Sequence, residues 1–305
     1  MYHRVSETAD YLGLCVPPAA FDAQLDLLSR RIRVIPLRTL VERLQRPKPL
    51  EEDVAAITFD DGYRDNLDIA LPILQRHGLP ATLFVTTGFL DGTAWPTGER
   101  LRGAFEVLWR QGVSAEAWRT EPSKLDRLVR ATLRAPGSLA ALRRLERQVK
   151  RAAPDEMEHL LSKIERLAGY PPKNRALMLD WHAVRALAAH GVEIASHTAS
   201  HALLSHVSLA CAERELRSSK EQIEAQISGG VVGFAFPNGH RNDFTTDHVA
   251  LLRRIGYMYA CTAETGVNRP GSDPFRLRRI GVGADSRALL DLKLAIVRGT
   301  EPCAA

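Results

Sequence analysis

Two adjacent aspartates are the first residues in the chain whose position suggests chemistry. Asp60 and Asp61 follow directly on an apolar run, residues 54–59, which is typical of a buried strand. Gly62 allows a sharp turn, so both carboxylates are expected at the carboxyl end of that strand, where α/β folds build their sites. Because adjacent residues leave a strand end in different directions, one acid could bind a cation while the other serves as a base. A plain Asp-Asp-Gly turn, with an aspartate as helix N-cap, accounts for the stretch equally well.

A pair of histidines follows a second strand-like run, residues 191–195. His197 and His201 are four residues apart, which in a helix corresponds to one turn, about 6 Å along the axis. This spacing, in a chain with two unassigned carboxylates, favours a metal site over isolated surface histidines. The helical metalloprotease motif spaces its histidines in the same way but needs a glutamate where this chain has Thr198. If the histidines bind a metal, the aspartate pair can supply both the third ligand and the base.

Three motifs occur in a fixed order along the chain. They are Thr-Phe-Asp-Asp-Gly-Tyr at 58–63, Ser-His-Thr-Ala-Ser-His at 196–201 and Phe-Ala-Phe-Pro-Asn-Gly at 234–239. Together with stretches at 1–5, 65–82, 191–194 and 268–280, this series resembles the successive motifs of the NodB-type polysaccharide deacetylases, carbohydrate esterase family 4. Only the region from about 94 to 177 has no counterpart. The joint match is specific, whereas any single motif would be weak.

The resemblance implies a role for each matching residue. It makes Asp60 the catalytic base and Asp61, His197 and His201 the ligands of a divalent metal, most simply Zn²⁺, with Co²⁺ or another first-row ion as alternatives. Such an ion would polarise an acetyl carbonyl and acidify the attacking water. The resemblance also implies that the backbone N–H of Asn238, after Pro237, stabilises the tetrahedral oxyanion.

The chain departs from the family pattern at two positions. The family often has an arginine two residues before the proline, where it orients the base, but this chain has Ala235. Arg279, or its neighbour Arg278, at the end of a later predicted strand is a candidate substitute. The family's last motif ends in a histidine that acts as general acid, and no histidine follows position 248. His3, His240, water on the ion and the protonated base remain alternatives for that role.

The pattern of elements predicts an α/β fold. Strand-like and helix-like runs alternate, which indicates a parallel sheet of about seven strands. The resemblance implies an incomplete (β/α)7-type barrel, although periodicity alone does not separate a barrel from an open doubly wound sheet. Between about 94 and 177 the apolar spacing of three and four predicts three or four amphipathic helices. We therefore expect one NodB-homology domain over residues 1–305 with a helical insertion in this region.

Composition limits the remaining possibilities. The 305 residues are 45% hydrophobic, which is ample for a core, and the net charge is +5. Residues 100–176 hold 17 Lys and Arg against 9 Asp and Glu, which predicts either a solvated surface or a face for an anionic partner. The four cysteines have no paired spacing, so neither a disulfide framework nor a cysteine zinc site is expected. Without a recognisable signal or membrane span, we expect a cytoplasmic protein, and no nucleic acid partner. The sequence does not define the oligomeric state.

The expected function is a metal-dependent hydrolase that removes N-acetyl groups from a polysaccharide, such as a cell-envelope glycan or an exopolysaccharide. Three alternatives share parts of the same pattern. They are an O-acetyl esterase acting on a polysaccharide, a glycan-binding relative without catalysis, and a non-haem iron oxygenase, which also uses two histidines and a carboxylate. The oxygenase would leave Asp60 without a role, and a pure binding protein would need neither the metal ligands nor the base.

Overall fold

The structure is a computed structural model that describes residues 1–7, 13–46, 51–119, 123–169 and 175–299. The chain divides into two compact units, one made of Met1–Asp91 with Ala176–Ala305 and the other of Gly92–Arg175. The bounds of the second unit lie within two residues of those expected for the helical insertion, 94–177. That the whole chain acts as one deacetylase domain stays a prediction.

The first unit contains all the strands that the described residues form. Their bounds are β1 Arg4–Val5, β2 Cys15–Val16, β3 Arg33–Val34, β4 Val54–Ala55, β5 Ile57–Phe59, β6 Ala81–Val85, β7 Glu193–Ser196, β8 Gly233–Ala235 and β9 Tyr259–Cys261. β5 to β9 form one parallel sheet in sequential order, while β1 pairs with β2 and β3 with β4. Because parallel neighbours need crossover connections, helices separate most of these strands.

Two further chain segments extend the five-stranded sheet at its edges. Tyr2 forms a parallel bridge with β5, and Leu277 forms one with β9. The N–H of Val282 donates to the carbonyl of Met1 at 3.0 Å, so the two outer segments also meet each other. The sheet is therefore curled, with seven segments around it, and the predicted incomplete (β/α) barrel is confirmed. The predicted strand over 277–282 is reduced to the bridge at Leu277.

Twelve helices lie within the described residues. Their bounds are α1 Pro18–Arg31, α2 Leu37–Leu44, α3 Leu71–His77, α4 Thr87–Asp91, α5 Thr97–Arg110, α6 Lys124–Leu133, α7 Leu139–Val149, α8 Pro154–Ala168, α9 Trp181–Ala189, α10 Leu209–Glu224, α11 Thr246–Ile255 and α12 Arg287–Gly299. Of the predicted helix over 67–77, the last seven residues are α-helical, whereas its start lies in a π-helical turn, Asn66–Ala70, before α3. Such turns are often found near functional sites.

The strands bury both faces, in two separate cores. Phe84, Tyr259 and Leu277 point to one side and pack with the apolar face of α2. Leu83 and Phe234, whose neighbours along the strands point the other way, pack in a larger core with the surrounding helices. This alternation follows from the period of two along a strand and places α2 inside the curl of the sheet.

The second unit contains α5 to α8, which agrees with the predicted three or four amphipathic helices. Each helix buries a leucine-rich stripe, and Arg100 on α5 makes ion pairs with Glu158 and Glu165 on α8. Ser123 and Asp126 form a capping box at the start of α6. Arg144 and Arg147 on α7 are exposed. Whether this basic surface meets a partner stays a prediction.

No helix among the described residues is both long and apolar enough to cross a membrane. The cytoplasmic location expected from the sequence stays a prediction.

Candidate active site

The two aspartates occupy the turn that follows β5. Asp60 continues the strand, with its N–H bonded to the carbonyl of Tyr2 at 3.1 Å. Asp61 has a positive φ of 76° and Gly62 one of 90°, so the chain reverses sharply between them. Both carboxylates are buried. As expected for adjacent residues at a strand end, the two side chains point to different partners.

The two histidines lie in a loop after β7, so the comparison with one turn of a helix was wrong. Thr198 and His201 both have positive φ values, 67° and 63°, which no α-helix contains. The loop nevertheless brings the rings together, with ring centroids 4.9 Å apart. The spacing of four residues therefore does indicate proximity, but through a left-handed loop conformation rather than a helix.

Asp61, His197 and His201 converge at one point. The Nε2 atoms of His197 and His201 lie 3.5 and 3.3 Å from Oδ1 of Asp61, and one ligand atom from each of the three residues lies within 4.8 Å of the others. Ligands held tetrahedrally at zinc distances of about 2.0–2.2 Å are themselves separated by about 3.3–3.6 Å. Oδ1 of Asp61 is buried without a hydrogen-bond partner, which fits a position reserved for a cation. The three residues fit a divalent metal.

Hydrogen bonding and charge prepare these groups for metal binding. Nδ1 of His197 lies 2.8 Å from the carbonyl of Ala235, which can only accept, so Nδ1 carries the proton and Nε2 presents its lone pair. Burial lowers the pKa of His197 to about 4, which keeps its imidazole neutral at neutral pH. Burial tends to raise the pKa of Asp61, but the contact with His201 and the other nearby histidines together outweigh this and keep the pKa well below its usual range. Metal ligands must be deprotonated in this way.

Asp60 is held by an arginine from the far end of the chain. Arg279 donates from Nη1 and Nη2 to the two carboxylate oxygens at 2.7 and 2.8 Å. Both side chains are buried, and the bidentate geometry fixes the plane of the carboxylate. Burial tends to raise the pKa of Asp60, whereas the charge of Arg279 lowers it and the net shift is downward. Asp60 therefore remains an anion without being a metal ligand in this arrangement.

The structure distinguishes between the two arginines considered for this contact. Arg279 points inward, and Arg278 is exposed. Nε of Arg279 also donates to the carbonyl of Thr262 at 2.8 Å, and the backbone N–H of Arg279 bonds to Glu264 instead. The arginine side chain thus takes the place of a backbone rung beside β9, which explains why the predicted strand over 277–282 is irregular.

Pro237 and Asn238 follow β8 after one further residue, Phe236. Asn238 has a positive φ of 56°, and the N–H of Gly239 donates to the carbonyl of Pro237 at 2.7 Å, which forms a tight turn. A Cβ at Gly239 would lie 2.7 Å from the backbone N of Ala263, so only glycine fits there. The turn lies at the carboxyl end of its strand, as do the aspartates and histidines. The role of the Asn238 N–H stays a prediction.

Two contacts of the site add to the sequence reasoning. Burial tends to raise the pKa of Asp60 and Asp61, and His3 is among the neighbours that lower it. Glu215, on α10, accepts hydrogen bonds from the loop between the two histidines. Sequence reasoning missed Glu215, because a charged residue beside the apolar stripe of a helix is ordinarily a surface residue.

Comparisons with known proteins agree with this geometry. A family profile described as polysaccharide deacetylase matches residues 47–260, more than half of the chain. YxkH of Bacillus subtilis (strain 168), whose name provisionally assigns it to the polysaccharide deacetylases, is 37% identical over 119 residues. That alignment covers 38% of this chain and 40% of YxkH, so it spans less than half of this curated relative.

Solved structures of deacetylases share the fold over nearly the whole chain. The Streptococcus pyogenes deacetylase PplD, solved in complex with acetate, has a TM-score of 0.63 and 17% identity, with 96% of this chain and 95% of PplD covered. IcaB from Ammonifex degensii has a TM-score of 0.61 and 17% identity, with 96% and 94% covered. A de-N-acetylase from Aggregatibacter actinomycetemcomitans has a TM-score of 0.59 and 15% identity, with 93% and 94% covered. These structures show the shared fold, and the profile match over residues 47–260 confirms the resemblance seen in the motifs: the chain belongs to the polysaccharide deacetylase family.

Proposed function

We propose that this protein is a metal-dependent hydrolase that removes N-acetyl groups from a polysaccharide, such as a cell-envelope glycan or an exopolysaccharide. The observation that carries the proposal is that the two adjacent aspartates lie in different environments. Asp61 faces two imidazoles with an unpartnered oxygen, while Asp60, the next residue, is held as an anion by Arg279. Membership of the polysaccharide deacetylase family agrees with this assignment.

The metal ligands in this proposal are Asp61, His197 and His201. Two histidines and one carboxylate leave open positions on the ion, as in catalytic zinc sites. When bound, a divalent ion supplies Lewis acidity that polarises the acetyl carbonyl and lowers the pKa of water. Zn²⁺ suits this donor set best, and Co²⁺ or another first-row ion can occupy the same ligands.

The remaining chemistry falls to the protein's own groups. Asp60 accepts a proton from the attacking water, whose oxygen adds to the acetyl carbon. The backbone N–H of Asn238 donates to the oxyanion that this addition creates. The C–N bond then breaks as the leaving nitrogen takes a proton, which yields acetate and a free amine on the sugar. Arg279 contributes by holding Asp60 in one orientation.

We assign the protonation of the leaving amine to His3. Of the histidines considered from the sequence, His3 lies on the segment beside Asp60, because the N–H of Asp60 donates to the carbonyl of the preceding residue, Tyr2, at 3.1 Å. Its ring is half-buried, and its backbone carbonyl accepts a 2.8 Å hydrogen bond from Asn66, which fixes the main chain at this position. His240, in contrast, is exposed, and its backbone N–H caps a turn with Asp243.

Removal of the metal tests the proposal as a whole. We expect acetate release from N-acetylated oligosaccharides to stop after dialysis against a chelator and to return on addition of Zn²⁺ or Co²⁺. Because the ion binds only the folded site, it should also stabilise the protein, by about 2.7 kcal/mol at 100 times its dissociation constant. Acetate release and thermal unfolding, measured on the same samples, check both effects.

The other outcomes of this experiment are informative. Release that survives the chelator would contradict the mechanism. Metal binding and glycan binding without acetate release would favour a non-catalytic relative. Release from O-acetylated but not from N-acetylated substrates would favour an esterase.

Substitution of His3 tests the choice of general acid. We expect His3→Gln to lower kcat by about 10²–10⁴-fold, the usual contribution of a general acid, with the metal dissociation constant unchanged. His240→Gln is the matched control and should retain wild-type kcat. Substrates whose leaving group needs no protonation should lose less activity than amides, and an equal loss for both would contradict the assignment.

A further inference from the structure

The loop between the two histidines has a backbone conformation that its own sequence does not favour. Thr198 and His201 both adopt positive φ values, and Thr198 is also β-branched. Sparsely populated conformations of this kind cost about 1–3 kcal/mol each and persist only where surrounding contacts impose them. The direction of both imidazoles depends on this conformation. The contacts that impose it are therefore part of the site.

The side chain of Glu215 binds the backbone N–H groups of the loop. Its carboxylate accepts hydrogen bonds from the backbone N–H of Ala199 at 3.0 Å and of Ser200 at 2.8 Å, and from Oγ of Ser200 at 2.8 Å. Successive N–H groups beside a left-handed residue form a concave nest that suits an anion. Here the anion is supplied by α10. Charge-assisted hydrogen bonds of this type are stronger than neutral ones.

The opposite side of the loop is held by backbone groups alone. The carbonyls of Thr198 and Ala199 accept from the N–H groups of Thr87 and Gly88, at 3.3 and 2.7 Å, at the start of α4. These contacts do not depend on any side chain. Among the hydrogen bonds that the described structure shows for residues 198–200, Glu215 is thus the side chain that anchors the loop from outside it. Its influence can be removed by substitution.

Helix α10 is a rigid support for this contact. Ala212, Leu216 and Ser219 are fully buried on the face adjoining Glu215. Oγ of Ser219 lies 2.5 Å from Oγ of Ser196, the last residue of β7, directly before His197. The helix is therefore tied to the strand that leads into the loop as well as to the loop itself. A carboxylate on this helix has a fixed position relative to both metal ligands.

We infer that Glu215 is a positioning residue for the metal centre, which sets the affinity for the ion by holding the His197–His201 loop in its left-handed conformation. This inference rests on the proposed metal site. Glu215 touches neither the ligand atoms nor the expected place of substrate, so it is not a catalytic residue. Its effect reaches the ion through the backbone of Ala199 and Ser200.

Glu215→Met is the sharpest test. Methionine has about the size of glutamate but no oxygen, so it can accept none of the three hydrogen bonds from the loop. We expect the dissociation constant for Zn²⁺, measured by competition with a chromophoric chelator, to rise about 10–100-fold, as is usual when support of metal ligands is lost. The absorption spectrum of the Co²⁺-loaded protein should change as well, because the geometry of the ligands relaxes. Glu213→Met is the matched control, since Glu213 is on the same helix and pairs with Arg217 and Arg254.

The outcomes separate this inference from the proposed function. If the wild-type protein binds neither Zn²⁺ nor Co²⁺, the proposed function and the inference both fail. If the wild-type protein binds them and Glu215→Met binds equally well, only the inference fails. A lowered thermal stability with unchanged metal affinity would also overturn it, since that is the signature of a merely structural residue. Should Glu215→Met not fold, Ser200→Ala decides, because it removes one of the three hydrogen bonds. A raised dissociation constant supports the inference, and an unchanged one overturns it.

Discussion

Replacing Asp60 with asparagine is expected to lower kcat for deacetylation by about 10²–10⁴-fold while metal affinity stays close to that of the wild type. The reason is the separation of roles between neighbouring residues, since Asp60 bonds to Arg279 and only Asp61 faces the imidazoles. Asparagine keeps the shape of the side chain but cannot accept the proton of the attacking water. Steady-state acetate release and a metal titration on the same preparation measure the two quantities.

Asp61→Asn is the matched control, because it is the same chemical change one residue away. It removes the negative charge from the proposed ligand set, so metal affinity should fall and activity should recover in part at high ion concentration. Excess ion should not rescue Asp60→Asn. If the two variants behaved alike in the titration, the division of roles between Asp60 and Asp61 would be wrong.

Replacing Arg279 with methionine is expected to affect both stability and pH dependence. Asp60 and Arg279 are 3% and 8% exposed, so the substitution leaves a buried carboxylate without its partner. Breaking a buried ion pair in this way costs about 3–5 kcal/mol. Burial alone raises the pKa of Asp60, and the charge of Arg279 is the main influence that lowers it. Without the arginine the pKa rises, and the acid limb of kcat/KM moves to higher pH.

The stability effect has a defined direction with pH. In the wild type the pKa of Asp60 is lower in the folded than in the unfolded state, so its contribution is complete above the unfolded pKa and is lost as pH falls through the folded pKa. The destabilisation by Arg279→Met should therefore be largest near neutral pH and become smaller in acid. Urea unfolding at several pH values measures it. The exposed neighbour gives the control, Arg278→Met, which should leave the acid limb in place. An unmoved limb in Arg279→Met would show that this pair does not set the acidity of the base.

Much of the site could be predicted because strand ends are easy to recognise in the sequence. Asp60 and Asp61 follow one apolar run and His197 another, and the carboxyl ends of parallel strands share one end of a barrel. Proximity of these residues follows from that rule alone. The sheet order that makes β5, β6 and β7 neighbours also follows from their sequence order, since consecutive strands usually lie side by side.

The loop conformation could not be predicted from its sequence. Spacing of four residues is compatible with a helical turn and with the observed left-handed loop, and local propensity favours neither Thr198 nor His201 at positive φ. The deciding contacts come from Glu215 and from the start of α4, both distant in sequence. Tertiary contacts of this kind override local preference, so sequence reasoning finds the candidate ligands but not the backbone conformation that orients them.

The sequence contains a pattern that distinguishes Arg279 from Arg278. Leu277 is buried, and alternation along an extended segment places residue 279 on the same side. The contact with Asp60, 219 residues away, was not available. This contact requires the segment after β9 to lie beside the N-terminal segment next to β5. The curling of the whole sheet brings these two segments together, and no local sequence pattern indicates it.

The ion pair between Arg279 and Asp60, the proposed base, limits how the protein can be engineered. The side chain of Arg279 replaces a backbone hydrogen bond beside β9, because its Nε donates to the carbonyl of Thr262. A single side chain thus affects both the pKa of Asp60, the proposed base, and the structure of the segment beside β9. Neither can be changed there independently of the other. Attempts to adapt this enzyme to acidic media should instead alter the surroundings of the pair. The ring of Phe84 lies 5.5 Å from the guanidinium carbon. Substitution of this ring can change the electrostatic surroundings of Arg279 without removing its hydrogen bond beside β9.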